Sequence, residues 1–188
     1  MIPARIARIA LIALLAGGTG VGACSKNQAP IAKTVSPLAD SADQVLSGVE
    51  FLLTTGGVQQ GKLEADSGFM FENSTRIELR HVHTDFFTKT GDPTGTLTSR
   101  EGTYLKARGS LEARDSVVVV SSDGRRRLTT QQLRYDERTN LITTDSAYTL
   151  TQEGQVHRGV GFATDPDFTR FECKSACRGI GFITRPPS

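Results

Sequence analysis

Turn signals recur along most of this chain at intervals of about fifteen residues: Gly91-Asp92-Pro93, Arg108-Gly109, Asp123-Gly124, Arg138-Thr139-Asn140 and Glu153-Gly154. Gly, Asn and Asp tolerate the left-handed backbone that tight turns need, and Pro presets φ. The stretches between them are rich in Val, Thr, Leu, Tyr and Phe. From about Asp43 onward no helical period competes with them. This pattern predicts consecutive antiparallel hairpins. The intervals leave room for strands longer than the five or six residues that are usual, as the general strand statistics show.

Alternation within the strands gives each an apolar face. Val49, Phe51 and Leu53 alternate with polar or small residues, as do Phe69 and Phe71, Ile77 and Leu79, Leu111 and Ala113, and Leu133 and Tyr135. In "SVVVVSS", Val117 and Val119 continue one phase and Val118 and Val120 the other. After Ile77 and Leu79, the apolar phase resumes at Val82, Thr84 and Phe86, a one-residue slip at Arg80-His81 of the kind a β-bulge produces. Leu97, Tyr104, Leu128 and Ile142 complete the set assigned to the interior. The expected architecture is all-β: an elongated jellyroll, or an open sandwich of two sheets built from long antiparallel strands. The chain has 188 residues, 37% of them hydrophobic and none of them Trp. A solidly packed interior calls for more bulk than that. A lean, long apolar trough suits an acyl chain.

The N-terminus reads as an address. Arg5 and Arg8 form a basic n-region, Ile9 to Leu15 a short apolar core, and a Gly/Ala-rich stretch leads to Cys24. This is the layout of a secretory signal peptide over residues 1–23. Its apolar core is shorter than the ~20 residues a spanning helix needs. Val21-Gly22-Ala23-Cys24 resembles a lipobox, which implies cleavage before Cys24 and its acylation. Residues 24–41, with Pro30 and Pro37, read as a lipidated start and a flexible tether. The folded domain is placed at 42–183 and a short tail at 184–188. Arg5 and Arg8 are the only charged residues of the leader, so the remainder carries 20 basic and 20 acidic residues. A nucleic-acid binder would show a basic excess, so that class is set aside.

With Cys24 spent on the lipid, Cys173 and Cys177 remain, an even pair in an oxidising compartment, and a small disulfide loop is expected. Zinc would need two further ligands, which the nearby sequence lacks.

His81 and His83 form an H-x-H pair, the opening of many jelly-roll metal sites. Asp85 shares their strand phase, but no Glu follows in "TDFFTKTGD", and the phase slip turns His83 and Asp85 to solvent. No metal and no cofactor are assigned. No G-x-S-x-G elbow and no Gly-rich phosphate loop is present. The basic cluster "GRRRL", Gly124 to Leu128, reads as a solvated hairpin, with lipid phosphate as the alternative contact.

Several ordered pieces carry a family likeness. "ADQVLSGVEFLLTTGGVQQGKLEADSGFMFENSTRIELRHVHTDFF" resembles the start of the LptC family of lipopolysaccharide-export proteins. "VVVVSSDG", "LTTQQLRYD" and "LITTD" follow the repeating grammar of LptC and LptA (OstA-like) domains, and "GVGFATDPD" resembles the family's closing stretch. The likeness spans about residues 42–170. It implies a jellyroll open at one side and a non-enzymatic role, with lipid A acyl chains held inside. It further implies that lipopolysaccharide is received from an LptF/LptG transporter and passed to an LptA-like protein. By that likeness the strands near Val45–Thr54 face the transporter and those near Val156–Phe171 face LptA, joined by edge pairing. The family is usually anchored by a transmembrane helix, and here a lipobox takes its place. The predicted location is the periplasm, at the inner membrane. Two alternatives remain at this point: an LptA-like or other lipid-carrying lipoprotein, and a metal-dependent jelly-roll enzyme using His81 and His83.

Overall fold

The computed structural model describes residues 37–179. The leader, Cys24, most of the tether and the tail lie outside the described residues. A short helix α1 (Pro37–Ser41) ends the tether region, and nine strands follow: β1 (Gln44–Thr55), β2 (Val58–Phe71), β3 (Arg76–Phe87), β4 (Pro93–Leu105), β5 (Ser110–Ser121), β6 (Arg126–Asp136), β7 (Leu141–Gln152), β8 (Gln155–Thr164) and β9 (Glu172–Arg178). They form one antiparallel sheet in chain order. Each of the five predicted turn signals falls at or between successive strands. Two further turns, at Gly56-Gly57 and at Glu72–Ser74, take positive φ as well. β1 to β8 run 10 to 14 residues, so a single strand is far longer than a compact core is thick.

The sheet solves this by folding over on itself. Its strands change phase near mid-length. On β3, buried Ile77 and Leu79 give way to buried Val82, Thr84 and Phe86, with His81 at φ 53° between them. On β1 the break is Gly48 at φ 64°, and on β5 it is Asp115 and Ser116 at φ 59° and 55°. On β8 it is Gly161 at φ 71°. Positive φ is uncommon for residues other than Gly, so its recurrence at mid-strand on β1, β3, β5 and β8 marks a built bend. Pairing between β1, β2 and β3 keeps one register across the line, because these strands slip together. Further on, the register shifts at Thr98/Glu101, Arg114/Val117, Thr130/Arg134 and Thr144/Ala147.

The two halves created by this line face each other. Phe86, beyond the bend of β3, meets Tyr135, beyond the bend of β6 toward the opposite set of turns, with ring centroids 4.8 Å apart. Phe51 of β1 stacks on Tyr104 of β4 at 5.4 Å. Between the halves lies one core containing Leu53, Leu63, Leu79, Leu97, Leu111, Val119, Leu128, Leu133, Ile142 and Phe162 among others. The one-sided alternation of the sequence thus becomes an inside, and the outer face carries the polar phase. There Glu78, Thr103, Arg114, Glu112 and Arg134 form a ladder across β3 to β6.

Close approach of the halves leaves no room at Gly95. A Cβ there would lie 2.8 Å from the carbonyl oxygens of both Pro166 and Val120. Backbone oxygens cannot swing aside as a side chain can. Gly95→Ala is therefore expected to cost about 1–3 kcal/mol, the usual range for forced overpacking. Urea unfolding would measure it, and a change below about 0.5 kcal/mol, the range of ordinary surface substitutions, would contradict the close approach.

The last strand is an edge. Cys173 and Cys177 are joined, with Cα atoms 6.1 Å apart, and Ala176 between them takes φ 50°. The bridge bunches the end of β9 into a bulge, a device that discourages indiscriminate edge pairing. A loop this short removes little entropy from the unfolded chain, so Cys173→Ser/Cys177→Ser is expected to lose at most about 2 kcal/mol. A larger loss in chemical denaturation would mean that β9 carries core packing as well.

The folded sheet as candidate functional site

The interior brings together nearly every residue that the alternation assigned to it. Leu53, Ile77, Leu79, Val82, Phe86, Leu97, Tyr104, Leu111, Val117, Val119, Leu128, Leu133, Tyr135 and Ile142 all belong to the buried core, and Phe51 packs against it half-buried. Most are wholly shielded: the side chains of these two facing half-sheets touch one another, and the interior is shut in this state.

Phe69 and Phe71 are the correction. They pair with Glu78 and Arg76 across β2 and β3, which places them on the outer face. Arg76 stacks over Phe71 with its guanidinium carbon 4.4 Å from the ring centroid, and Arg80 lies 6.0 Å over Phe69. The apolar phase of β2 runs through Leu63 and Ala65, slips at Asp66, and continues through Gly68 and Met70. Constant alternation from Phe71 backward cannot reveal that slip. Leu63, Tyr148, Leu150, Phe162 and Phe168 are core residues that the sequence reading missed. For Leu63, Tyr148 and Leu150 the signal was present, since each alternates with polar or small neighbours. Phe168 sits in the β8–β9 loop, where no period applies.

The C-terminal edge also moves by one strand. β8 is paired on both sides, by β7 and β9, so among the described residues the free edges of the sheet are β1 and β9 rather than the Val156–Phe171 region.

His81 and His83 stand at the bend and on the outer face. His81 Nδ1 lies 2.9 Å from Asp66, and His83 Nε2 lies 3.0 Å from Asp85. Among the described residues one group could hold a metal: Glu64, His83 and Asp85 bring ligand atoms within 4.8 Å of one another. The Glu that does not follow His83 along the chain is supplied by β2, where Glu64 faces His83. All three are solvent-accessible, and the Lys62 ammonium already sits 2.8 Å from Glu64 and 3.5 Å from Glu50. That hydrogen bond lowers the Glu64 pKa and raises that of Lys62. The group is accordingly read as an ion-pair patch in which lysine supplies the cation.

The basic hairpin is likewise engaged. Arg126 Nη1 donates to the Asp167 carbonyl at 2.7 Å, and Arg125 lies 3.9 Å from Glu153. Arg126 is thus a tie within the fold.

Glu137 is, with Asp165, one of two buried acids among the described residues. It lies in the β6–β7 turn and is 7% exposed. The Tyr104 hydroxyl donates to its Oε1 at 2.9 Å. Burial pushes its carboxyl pKa above the ordinary 4.5, and the neighbouring Asp136 charge adds to the shift. A raised folded-state pKa means that the folded chain holds this proton more tightly than the unfolded chain. Glu137 therefore makes stability fall as pH rises from about 4.5 through its folded-state pKa. Glu137→Gln, which can still accept from Tyr104, is expected to flatten the stability profile in that window. Tm measured at pH 4, 5, 6 and 7 for both proteins checks this. Parallel profiles would mean that Glu137 titrates as an ordinary glutamate.

No helix among the described residues is long and apolar enough to cross a membrane. A comparison with curated proteins gives no match. Among solved structures, the chain is similar to "LptH, the LptA homologous periplasmic component of the conserved lipopolysaccharide transport device from Pseudomonas aeruginosa", at 14% identity and a TM-score of 0.48, over 69% of this chain and 90% of that one. The family model described as "Lipopolysaccharide-assembly, LptC-related" matches residues 10–180, which takes in every strand of the folded sheet. A single antiparallel sheet, bent along its middle around one apolar interior and covered by that match from end to end, belongs to the LptC-related family of lipopolysaccharide-assembly proteins.

Proposed function

We propose that this chain is a non-enzymatic carrier of lipopolysaccharide, which takes the lipid from an inner-membrane transporter and hands it along a periplasmic bridge of similar domains. The observation that carries this reading is the interior itself: one mainly apolar face carried through eight long strands, in a chain of this family. Acyl chains need a long apolar path and no bond chemistry, and this interior offers that. The free strands β1 and β9 would pair with the neighbouring domains, since an unpaired edge is a template for strand addition. β1 is proposed for the transporter side and β9 for the LptA-like side. The polar tether and an acylated Cys24 would hold the domain at the membrane, in keeping with the lipobox. Intact mass of the mature N-terminus tests the last point: a mass without acyl chains on Cys24 removes the anchor.

Photo-crosslinking tests the carrier role. Probes placed at the interior positions Leu97 and Val119 are expected to form lipopolysaccharide adducts in cells making the protein. A probe at the outward Phe71 is the control and is expected to form none. Adducts at neither interior position would sink the carrier reading.

A further inference from the structure

Folding the sheet along its middle leaves one long mouth, where the two sets of turns come together. Hydrogen bonds cross it at two places, and at the first the Thr54 N–H also bonds to the Glu137 carboxylate. Thr55, at the end of β1, donates from Oγ1 to the Glu137 carbonyl at 2.7 Å, across 82 residues of sequence. Arg126, at the start of β6, donates to the Asp167 carbonyl at 2.7 Å. Both bonds join the turns at one end of the strands to the turns at the other. The residues around each are built to hold. The Glu137 N–H donates to the Gly109 carbonyl, and its carboxylate accepts from Tyr104, whose ring stacks on Phe51 of β1. On the other side, Asp165 accepts from the N–H groups of Thr169 and Arg170, fixing the loop that carries Asp167. In that loop Phe168 is 6% exposed and reaches the core at φ 56°, a conformation that a bulky side chain adopts only when its surroundings impose it.

Neither bond belongs to the sheet ladder. The ladder would survive intact if the mouth parted, because among the described residues β1 pairs only with β2 and the β8–β9 loop is a connection. Opening the mouth thus breaks these ties and loosens facing contacts behind them, such as Phe86 with Tyr135, but leaves the rows of backbone hydrogen bonds in place. The interior behind the mouth is closed, so an acyl chain must part something to enter.

We propose that these two ties form a latch on the mouth, and that acyl chains enter the interior sideways when the Thr55–Glu137 tie releases. The proposal rests on the carrier reading above and assigns the place where its site opens. In this scheme Phe168 occupies the volume that an acyl chain takes over, and its strained backbone relaxes as it leaves.

The test is to lock the mouth. Thr55→Cys/Glu137→Cys is bridged with a short bifunctional thiol reagent, and loading with lipopolysaccharide is followed through a photo-probe at Val119. The bridged protein is expected to load at least tenfold more slowly than the same protein alkylated singly at each cysteine. Thr55→Val, which removes the Thr55 hydroxyl bond and leaves the Thr54 N–H on the Glu137 carboxylate, is expected to load severalfold faster than the unaltered protein. Equal loading by bridged and singly alkylated protein overturns the latch. If the cysteine pair does not fold, an unchanged loading rate for Thr55→Val overturns it instead. Absence of any adduct from the unaltered protein counts against the carrier reading itself, and is thereby told apart from failure of the latch.

Discussion

Replacing Phe86 with alanine is expected to lower the free energy of unfolding by about 3–5 kcal/mol, the range for truncating a buried aromatic side chain. Phe86 is fully buried on β3 and meets Tyr135 of β6 across the interior at 4.8 Å. The two strands are not neighbours in the sheet, so this contact holds one half-sheet against the other. Truncation removes the transfer energy of the ring and leaves a cavity that the stiff, hydrogen-bonded strands cannot collapse around. Leu52→Ala is the control, since Leu52 is 55% exposed on β1 and its loss is expected to stay within about 0.5 kcal/mol. A double-mutant cycle between Phe86→Leu and Tyr135→Leu should return a coupling of about 0.5–1.5 kcal/mol. Urea midpoints with an unchanged slope would report these values. A Phe86→Ala loss no larger than that of Leu52→Ala would refute the two-half packing.

Raising the pH above 10 is expected to unfold the domain cooperatively. The chain has three tyrosines, Tyr104, Tyr135 and Tyr148, and all three are core residues. Burial pushes the Tyr148 hydroxyl up to about 12 from its ordinary value of 10.0. Burial holds Tyr104 and Tyr135 higher still, with Glu137 opposing ionisation of both. A folded-state pKa raised above the unfolded value means that the unfolded chain loses its phenolic protons first. Stability contributed by the neutral phenols is therefore complete below pH 10 and withdrawn as pH climbs from 10 toward 12. Phenolate absorbance at 295 nm and the far-ultraviolet signal of the sheet should change together. Phenolate absorbance that rises near pH 10, over an intact sheet, would mean that water reaches the interior freely and the mouth is not shut.

How much of this was legible beforehand follows from the range of the interactions involved. Turn chemistry and period-2 alternation act over a few residues, so the hairpin order, the long strands and most of the inward residues could be read directly. The slip at Arg80-His81 was also legible, because both sides of it lie in one strand. The matching slip of β2 at Asp66 was not, and Phe69 and Phe71 were consequently assigned to the wrong face. A Phe packed beneath an arginine on the outside looks, in sequence, like a Phe in a core. The Glu64–His83 patch escaped for a similar reason: its members come from two strands, and only the register puts them opposite each other.

The sequence by itself determined that the chain is all-β, that each strand has one apolar face, and that its ordered motifs match a lipopolysaccharide-export family. It did so because propensity, turn geometry and side-chain alternation are local properties of the backbone. Only the tertiary structure decided that one sheet bends on itself and which half faces which. It alone also placed β9 at the free edge and brought Thr55 against Glu137. Those outcomes depend on the registers of eight strand pairs taken together, and no short stretch of the chain contains them all.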